Sequence, residues 1–469
     1  MLSPSIQSAT PRDLVVSEDL LQKYDKPGPR YTSYPTAPEW QDNFRDIEFR
    51  MALSEAAQHG NKPLSVYVHI PFCWERCLFC GCNVVISKRQ DVADKYLDYV
   101  EKELAMGAAA LKQRNKVKQL HWGGGTPTYL TVPQIKFLFN AISRHFDISS
   151  DAEIALEVDP RVTTKEQLET LRNLGFNRIS MGVQDLEPTV QEIIHRNQTE
   201  SETRKMYSLC RELGYTGINM DLIYGLPGQN ATGWERTIDA TIDMRPDRLA
   251  VYSYAHLPNA IKHQRRLESE PRPNALEKLM LFSLARRKFL EAGYRAIGMD
   301  HFALPTDELA MAMDERRLHR NFMGYTVVPA ADMAGFGVSS ISEIGGAYAQ
   351  NEKRPAMYYK MLDNEQFPTH CGVKLSEDDI IRRWLIRQLM CNFHLDINEI
   401  NNRFNINYDE YFSLEESELT NYYEEGFLAH NNDCLTVLPL GQVFIRNICM
   451  TFDKYLRQKE HFNKFSRTV

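Results

Sequence analysis

The 469-residue chain lacks any run of about 18 consecutive apolar residues, so no segment is predicted to span a membrane. Its first residues, MLSPSIQSATPRDL, lack the apolar stretch of a signal peptide, and we expect a cytoplasmic protein. An excess of positive charge is lacking as well, because the formal net charge is −7. The composition therefore argues against a protein that holds nucleic acid by bulk charge.

Cysteine is scarce, with nine in the whole chain, far below the density of a disulfide-stabilised scaffold. Four of the nine nevertheless lie close together, at Cys73, Cys77, Cys80 and Cys82, and the first three have the spacing CxxxCxxC. In a reducing compartment, such a cluster predicts metal binding rather than disulfide bonding. The other five are expected to pack as small apolar side chains.

Thiolates on one short segment suit an iron–sulfur cluster, because soft sulfur ligands favour iron–sulfur centres or zinc. Three thiolates would leave one iron of a cubane without a protein ligand, where a small molecule can bind and be broken. Structural zinc usually takes two separated cysteine pairs, and the chain shows no second pair, so zinc is less favoured. A fully ligated electron-transfer cluster is a further alternative, although one residue between Cys80 and Cys82 makes it awkward.

Strand and helix patterns alternate between residues 64 and 300. Gly175, Gly214 and Gly293 each follow a predicted helix and precede a predicted strand, the last strand being placed at 296–300. Repeated units of this kind indicate an α/β fold with a parallel sheet covered by helices. About six units fit, so we expect an incomplete (β/α)6 barrel, with a doubly wound open sheet as the alternative.

Three regions are predicted. They are an N-terminal arm and helix over residues 1–60, the barrel domain over 61–365, and a mainly helical C-terminal domain with a small β-hairpin over 366–469. The hairpin is expected to turn at residues 431–433, and a helix is expected from about Gln442 to Arg457. A hairpin among helices could serve DNA binding, but several nearby glutamates favour a packing or lid role.

Polar residues follow the predicted strands at their carboxyl ends, where α/β folds gather their functional residues. These residues are Glu157, Asp159, Gln184, Asp221 and Tyr252. The run GGG at 123–125 also follows a strand, and glycine lets a backbone approach a ligand closely. An active site at this edge of the sheet is therefore predicted.

The run YVHIPFC at 67–73, the CxxxCxxC spacing and the glycine run resemble the radical S-adenosylmethionine (SAM) enzymes. The resemblance implies a [4Fe–4S] cluster on Cys73, Cys77 and Cys80. It also implies SAM on the open iron, where one electron cleaves SAM to methionine and a 5′-deoxyadenosyl radical. The radical abstracts hydrogen from unactivated carbon.

Further motifs are similar to those of the oxygen-independent coproporphyrinogen III oxidase family. They lie at 29–36 (PRYTSYPT), 157–161 (EVDPR), 181–185 (MGVQD), 221–227 (DLIYGLP) and 298–303 (GMDHFA). The resemblance implies oxidative decarboxylation of two propionates of coproporphyrinogen III to vinyl groups, giving protoporphyrinogen IX in haem biosynthesis. It also implies a flavodoxin- or ferredoxin-type reductant, an electron acceptor that is not identified, and a monomer without nucleic acid or membrane partners.

Two SAM molecules are implied, and their contacts are carried over by matching motif. The first SAM would contact Tyr67, Gly124, Glu157 and Ile341. The second SAM would contact Phe79, Gly125, Thr126, Gln184, Arg196, Asp221 and Ala255. Tyr67 and Cys82 are candidate catalytic residues, and Arg30, His301 and Arg320 are candidates for the substrate carboxylates.

Two other functions stay open on the sequence. A haem-binding chaperone on the same radical SAM scaffold is the first, although the arm around Arg30 and the full C-terminal domain argue against it. A zinc-dependent regulator that places the hairpin domain on DNA is the second.

Overall fold

A twelve-stranded sheet forms the centre of the computed structural model, which describes residues 16–60, 62–327, 332–431, 433–457 and 465–468. The expectations for the extreme N-terminus and for residue 432 of the hairpin turn lie outside these residues. In chain order the strands are β1 Leu64–Ile70, β2 Lys116–Gly124, β3 Asp147–Val158, β4 Arg178–Gln184, β5 Gly217–Tyr224, β6 Arg248–Ser253, β7 Arg295–Ile297, β8 His301–Ala303, β9 Asp332–Phe336, β10 Ile341–Ile344, β11 Ala347–Asn351 and β12 Thr369–Lys374.

Strands β1 to β6 lie side by side in chain order, and every neighbouring pair is parallel. A doubly wound sheet reverses its strand order at a switch point, and these six strands show no reversal. Among the described residues, no ladder joins the two edges of the sheet, so the barrel is incomplete. The predicted α/β partial barrel is confirmed, and the doubly wound alternative is wrong.

Helices cover the parallel strands on the outside of the curved sheet. The principal ones are Asp91–Leu111, Val132–His145, Lys165–Asn173, Glu200–Glu212, Ala231–Met244 and Ala275–Glu291. Shorter helices span Glu18–Tyr24, Asp46–Ala57, Pro188–Ile193, Glu308–Asp314 and Pro355–Asp363. In the described parts of the chain, no helix combines the length and apolar character needed to cross a bilayer.

The predicted helix boundaries have the expected local chemistry. Thr131 and Gln134 form a reciprocal capping box at one helix start, where Thr131 N–H donates to Gln134 Oε1 at 2.9 Å. Gly175 follows another helix with φ of 101°, a left-handed conformation that glycine adopts without a Cβ penalty. The sequence signals therefore mark real element ends.

Antiparallel strands extend the sheet at both edges, and the sequence patterns did not predict them. The predicted strand at 296–300 is only partly correct, because residues 296–297 belong to β7, whereas 298–300 form the turn to β8, which pairs antiparallel with β7. On the other side, β9 pairs parallel with β1 and then leads into the antiparallel strands β10 to β12. These strands lie close in sequence, so short connections can reverse the chain between them.

The C-terminal region is mainly helical, as predicted, and contains a three-stranded sheet rather than a hairpin alone. Its strands are His394–Asp396, Leu428–Asn431 and Cys434–Val437, and its larger helices are Glu377–Asn392, Ile397–Phe404 and Ser413–Glu424. The predicted helix at 442–457 is wrong, because the segment forms Pro439–Val443, Ile445–Thr451 and Lys454–Arg457. The division into three regions stays a prediction. Strand β12, which belongs to the central sheet, runs to Lys374 and so lies beyond the predicted domain boundary at residue 366.

The N-terminal arm lies against the C-terminal region. Tyr31 and Tyr34 are buried in the same apolar cluster as Leu389 and Phe444. The fully engaged guanidinium of Arg446 donates to backbone carbonyls of the arm and of the chain end, at Gly28, Pro29, Ser466 and Arg467.

Replacing Arg446 with methionine is expected to lower the free energy of unfolding by about 2–4 kcal/mol, because buried carbonyls lose a charged donor. Anaerobic urea unfolding measures the change. Arg287→Met is the control, since Arg287 is half exposed and makes one pair within its helix. Equal stability losses in the two variants would contradict the role assigned to Arg446.

Candidate active site

The carboxyl ends of the parallel strands open into two adjoining cavities. The cysteine cavity, of about 740 Å³, is lined by Cys73, Cys77 and Cys80 together with residues on and just after strands β2 to β5. The side cavity, of about 670 Å³, extends from Tyr67 towards β10 and β11. The two share Arg76, Cys82, Glu157 and Tyr252, so they form one continuous groove.

The cysteine loop is held in place by hydrogen bonds to its backbone. A two-residue strand, Phe72–Cys73, pairs with Val85–Ile86 and closes the loop at its base. Leu78 N–H donates to the Ile194 carbonyl at 2.9 Å. Gln264, almost fully buried, donates through Nε2 to the Phe79 carbonyl at 3.0 Å. These bonds aim the thiols into the groove.

The cysteine sulfurs face polar and cationic groups. Guanidinium nitrogens of Arg161 and Arg196 lie 3.7 and 3.8 Å from Cys77 Sγ. The hydrogen bond between Cys80 and Cys82 lowers the pKa of Cys80 to about 7, whereas burial raises the pKa of Cys73 to about 12. Thiolate is the form that binds metal, and the guanidinium groups favour it, whereas the burial of Cys73 opposes it.

The cysteines do not converge on a single point. Within the described residues, no group of three or more His, Cys, Asp or Glu side chains has the arrangement that would hold one metal ion. Zinc demands such convergence, because its sulfur ligands all lie about 2.3 Å from one ion. A cubane separates its thiolates, since each binds a different iron, so the loop fits a cluster better than zinc.

Glycine is required where the turn after β2 passes between β1 and β3. Gly124 has φ of 114°, and a Cβ placed there would lie 2.6 Å from the His69 ring. A Cβ on Gly125 would lie 2.7 Å from the Phe72 carbonyl oxygen. The turn is thereby packed tightly against its neighbours, and its N–H groups donate to Glu157 and to the Ile70 and Phe72 carbonyls.

Glu157 lies between the two cavities and faces open space, with 42% of its side chain exposed. Its Oε2 accepts from Gly124 N–H at 3.1 Å, and its Oε1 lies 3.5 Å from His121 Nε2. Burial alone would raise the pKa of Glu157, but His121 and the Gly124 N–H hold it below its ordinary value. An ionised carboxylate at this position can accept from an ammonium or hydroxyl group.

Asp221 lies on β5 at the floor of the cysteine cavity. Ser180 Oγ donates to its Oδ2 at 3.0 Å, and Asn219 Nδ2 donates to its Oδ1 at 2.8 Å. Burial, with the charge of Glu157 as a further cause, raises the pKa of Asp221 to about 6. A cationic ligand in the cavity would offset the free-energy cost of ionising this buried carboxyl group.

Arg196 is buried and already has several protein partners. It donates to the Gly182 carbonyl at 2.7 Å and to Gln198 Oε1 at 3.0 Å, and it lies 3.7 Å from Asp159 Oδ1. Arg196, Arg161 and their other neighbours hold the pKa of Asp159 at about 2 against the effect of burial. Arg196 still lines the cysteine cavity, next to Gln184.

Two histidines extend the site beyond the residues that the sequence identified. His69 Nδ1 lies 3.1 Å from the Tyr67 hydroxyl, and His69 Nε2 donates to the Asn83 carbonyl at 3.0 Å. Burial lowers the pKa of His69, so its ring is neutral. His121 stacks on Tyr67 because their strands pair in register at these positions. Strand register is invisible in one sequence, so these partnerships were missed.

The three candidates for substrate carboxylates come together around one acid. Asp300 Oδ1 accepts from His301 Nδ1 at 2.7 Å, and its Oδ2 lies 3.4 Å from Arg30. Arg320 donates to the Arg30 carbonyl, and Arg30 lies over the ring of Tyr252 at 6.0 Å. Burial opposes ionisation of Asp300, but His301 and the two arginines depress its pKa. This group of charged side chains is adjacent to Tyr252, which lines both cavities.

The structure brings most of the predicted site residues into the groove. The cysteine cavity is lined by Cys73, Cys77, Phe79, Cys80, Cys82, Gly124, Gly125, Thr126, Glu157, Gln184, Arg196 and Asp221. Tyr67 and Ile341 line the side cavity. Ala255 lies next to the cysteine loop, since its carbonyl accepts from Gln264, which also binds the Phe79 carbonyl.

Comparison with known proteins finds two family matches in this chain. Residues 67–241 match the radical SAM superfamily, and residues 375–444 match the HemN C-terminal domain. Oxygen-independent coproporphyrinogen III oxidase from Salmonella typhimurium is 44% identical over 96% of this chain and 98% of its own. The protein of that name from Synechocystis is 42% identical over 97% and 98%.

A solved structure extends the likeness to three dimensions. The coproporphyrinogen III oxidase from Escherichia coli, described as a radical SAM enzyme, superposes with a TM-score of 0.89 and 41% identity. The match covers 95% of this chain and all of that one. The chain therefore belongs to the oxygen-independent coproporphyrinogen III oxidase family of radical SAM enzymes.

Proposed function

We propose that this enzyme converts two propionates of coproporphyrinogen III to vinyl groups, giving protoporphyrinogen IX in haem biosynthesis. The observation that carries the proposal is the meeting of three loop thiols, the glycine turn and Glu157 at one cavity, in a chain of this family. The relatives are named for the oxidation of coproporphyrinogen III without oxygen.

Cys73, Cys77 and Cys80 would hold a [4Fe–4S] cluster, and Gly124 and Gly125, which line the same cavity, would lie beside SAM. When bound, cluster and SAM would supply a 5′-deoxyadenosyl radical that takes a hydrogen atom from the β-carbon of a propionate. Glu157 would accept from the first SAM, with Tyr67 and Ile341 beside it. Cys82 would not be a ligand and remains a candidate for radical or electron handling.

A second SAM would lie between the loop and strands β4 and β5. Phe79, Gly125, Thr126, Gln184, Arg196, Asp221 and Ala255 are its proposed contacts. Asp221 would become fully ionised beside the cationic ligand, because opposite charge favours the charged form of a carboxylate. The size of the cysteine cavity supports binding of SAM, since ligand sites commonly measure about 300–1,000 Å³.

The substrate completes the reaction after hydrogen abstraction. Loss of CO₂ and one electron leaves the vinyl group, and an external acceptor takes that electron. A flavodoxin- or ferredoxin-type donor would supply the electron for each SAM cleavage. We further propose that the enzyme acts as a cytoplasmic monomer.

An anaerobic assay with coproporphyrinogen III, SAM and a reductant tests the proposal. Two vinyl groups should form for each substrate molecule, with one methionine for each vinyl group. Stable haem binding without vinyl formation would instead favour the chaperone alternative.

Serine at Cys73, Cys77 or Cys80 is expected to lower cluster content to near zero and abolish vinyl formation, because each residue binds a separate iron. Cys82→Ser is the matched variant and should keep its cluster. Iron and sulfide analysis of anaerobically reconstituted protein, with the visible absorption spectrum, measures both. Loss of the cluster from Cys82→Ser alone would contradict the assignment of ligands.

Arg30→Ala is expected to raise the KM for coproporphyrinogen III or to abolish vinyl formation, while SAM cleavage continues. Arg30 is the most exposed cation of the charged group around Asp300, with 29% of its side chain accessible, and so is the one best able to reach a substrate carboxylate. Arg287→Ala, on the outer surface, is the control. Unchanged turnover in Arg30→Ala would remove Arg30 from the substrate site.

Asp221→Asn should be more stable than the unaltered chain at pH 8, by about 1–2 kcal/mol, and equally stable near pH 4. Folding raises the pKa of Asp221 to about 6, so its ionisation costs stability as the pH rises through that value. The cost is absent below the ordinary pKa of about 3.9. Part of the gain is offset, because asparagine accepts less well from Ser180 and Asn219.

Urea unfolding of the metal-free protein across this pH range measures the difference. Asp98→Asn, at an exposed position of the helix Asp91–Leu111, is the control. A stability difference that is constant with pH would show that the burial of Asp221 does not govern its titration.

A further inference from the structure

A short helix packs directly against the cysteine loop. This 3₁₀ helix, Lys262–Leu267, follows β6 along the chain. His263 donates through Nε2 to the Cys80 carbonyl at 2.8 Å, so the helix lies one hydrogen bond from the backbone of a proposed cluster ligand. Just before the helix, Ile261 Cδ1 would lie 3.2 Å from a Cβ placed on Gly81. The helix and the loop are therefore in close contact.

The helix turns its cations away from the loop. In a 3₁₀ helix, residues three apart in sequence lie on the same face. Gln264 and Leu267, which are three apart, are buried. Lys262 and Arg265, also three apart, are exposed on another face, and Arg266 beside them is exposed as well. These three cations, Lys262, Arg265 and Arg266, are called the basic ridge.

The basic ridge lacks acidic partners. Within the described residues, no ion pair joins its side chains to a carboxylate, although exposed Glu268 follows the helix at once. Arg266 lies 3.4 Å from His195 Nε2, a nitrogen that brings no negative charge. On the helix Ala275–Glu291, by contrast, Arg287 pairs with Glu291 at 3.5 Å. Three cations without ion pairs thus lie together on a chain whose net charge is −7.

The proposed reaction needs a donor that reaches the cluster. One electron must enter the cluster for each SAM that is cleaved, and the rate of electron transfer falls steeply with distance. A donor bound on the basic ridge would be separated from Cys80 only by the thickness of one short helix. Redox proteins meet through small contact surfaces, below about 1,200 Å², so a short charged ridge is enough to orient such a partner.

We infer that the basic ridge docks an acidic electron-transfer protein of the flavodoxin or ferredoxin type, which reduces the cluster. This inference rests on the proposed function and identifies the surface that receives its reductant. Small flavin and iron–sulfur donor proteins are commonly acidic, so their carboxylates complement the ridge and steer the encounter. In the docked complex the donor loses one electron and the cluster gains it, and no bond is formed or broken.

Reversing two charges of the ridge tests the inference. The variant is Arg265→Glu/Arg266→Glu, because neither residue lines a cavity of the groove, whereas Lys262 lines the side cavity and is left unaltered. Methionine formation from SAM is measured at low ionic strength, with either reduced acidic flavodoxin or dithionite as the electron source. The rate with limiting flavodoxin should fall at least about tenfold, since steering contributes this much to association. The rate with dithionite should not change.

Lys112→Glu/Lys116→Glu is the matched control. It makes the same change of charge at two exposed residues beside the amino end of β2, at the opposite end of the parallel strands from the loop. Both of its rates should equal those of the unaltered enzyme. Added salt should slow the flavodoxin reaction of the unaltered enzyme and reduce its advantage over the ridge variant, because salt screens exposed charges.

Two results would overturn the inference. The first is an equal flavodoxin rate in the unaltered, ridge and control proteins. The second is an equal loss with dithionite in the ridge variant, since the arginines would then act on the cluster or on SAM rather than on the donor. Failure of the proposed function is distinguishable, because it would show as absence of vinyl products from the unaltered enzyme when dithionite, which needs no docking surface, supplies the electrons.

Discussion

The active site depends on one loop, which follows the end of β1 and contains all of its thiols. Bonds from Leu78, Gln264 and His263 fix the backbone of the loop, and the short strand at Cys73 closes its base. The loop supplies sulfur from one side only, so the other side of a cluster bound there faces the cavity. A resident cluster in this position would be open to a ligand, and the glycine turn after β2 lines the cavity that would receive that ligand.

Charge is divided unevenly along the groove. Carboxylates gather around the cysteine cavity, where Asp221 has a raised pKa and Glu157 a lowered one. Lys262 and Lys353 lie in the side cavity, together with Tyr67 and Ile341, the proposed neighbours of the first SAM. Glu157 and Tyr252 border both cavities.

Local signals in the sequence predicted much of the fold. The partial barrel followed from repeated helix ends, because capping residues such as Thr131 and glycines such as Gly175 act within a few residues of chain. Strands β7 and β8 were misplaced and β9 to β12 were missed, since none of them belongs to the repeated strand–helix units that the sequence signals mark. The predicted helix at 442–457 is instead divided into short helices, with breaks at Phe444 and at residues 452–453.

The site residues that belong to sequence motifs were predictable, whereas those brought into the site by the register of neighbouring strands were not. The cysteines, the glycine turn and the strand-end acids all line the groove, as their positions after strands indicated. His121 joined the site only through its alignment with Tyr67 across two strands. Lys262 and Lys353 lie far apart in sequence, and only the folded chain shows that one cavity receives both.

The cysteine loop would leave one iron of its cluster open to SAM. Electron–nuclear double resonance of the reduced, reconstituted protein, with ¹⁷O and ¹⁵N in the methionyl carboxylate and amine of SAM, tests this arrangement. We expect hyperfine coupling from both labels to the cluster. A reduced cluster that shows no coupling to either label, with SAM demonstrably bound, would contradict it.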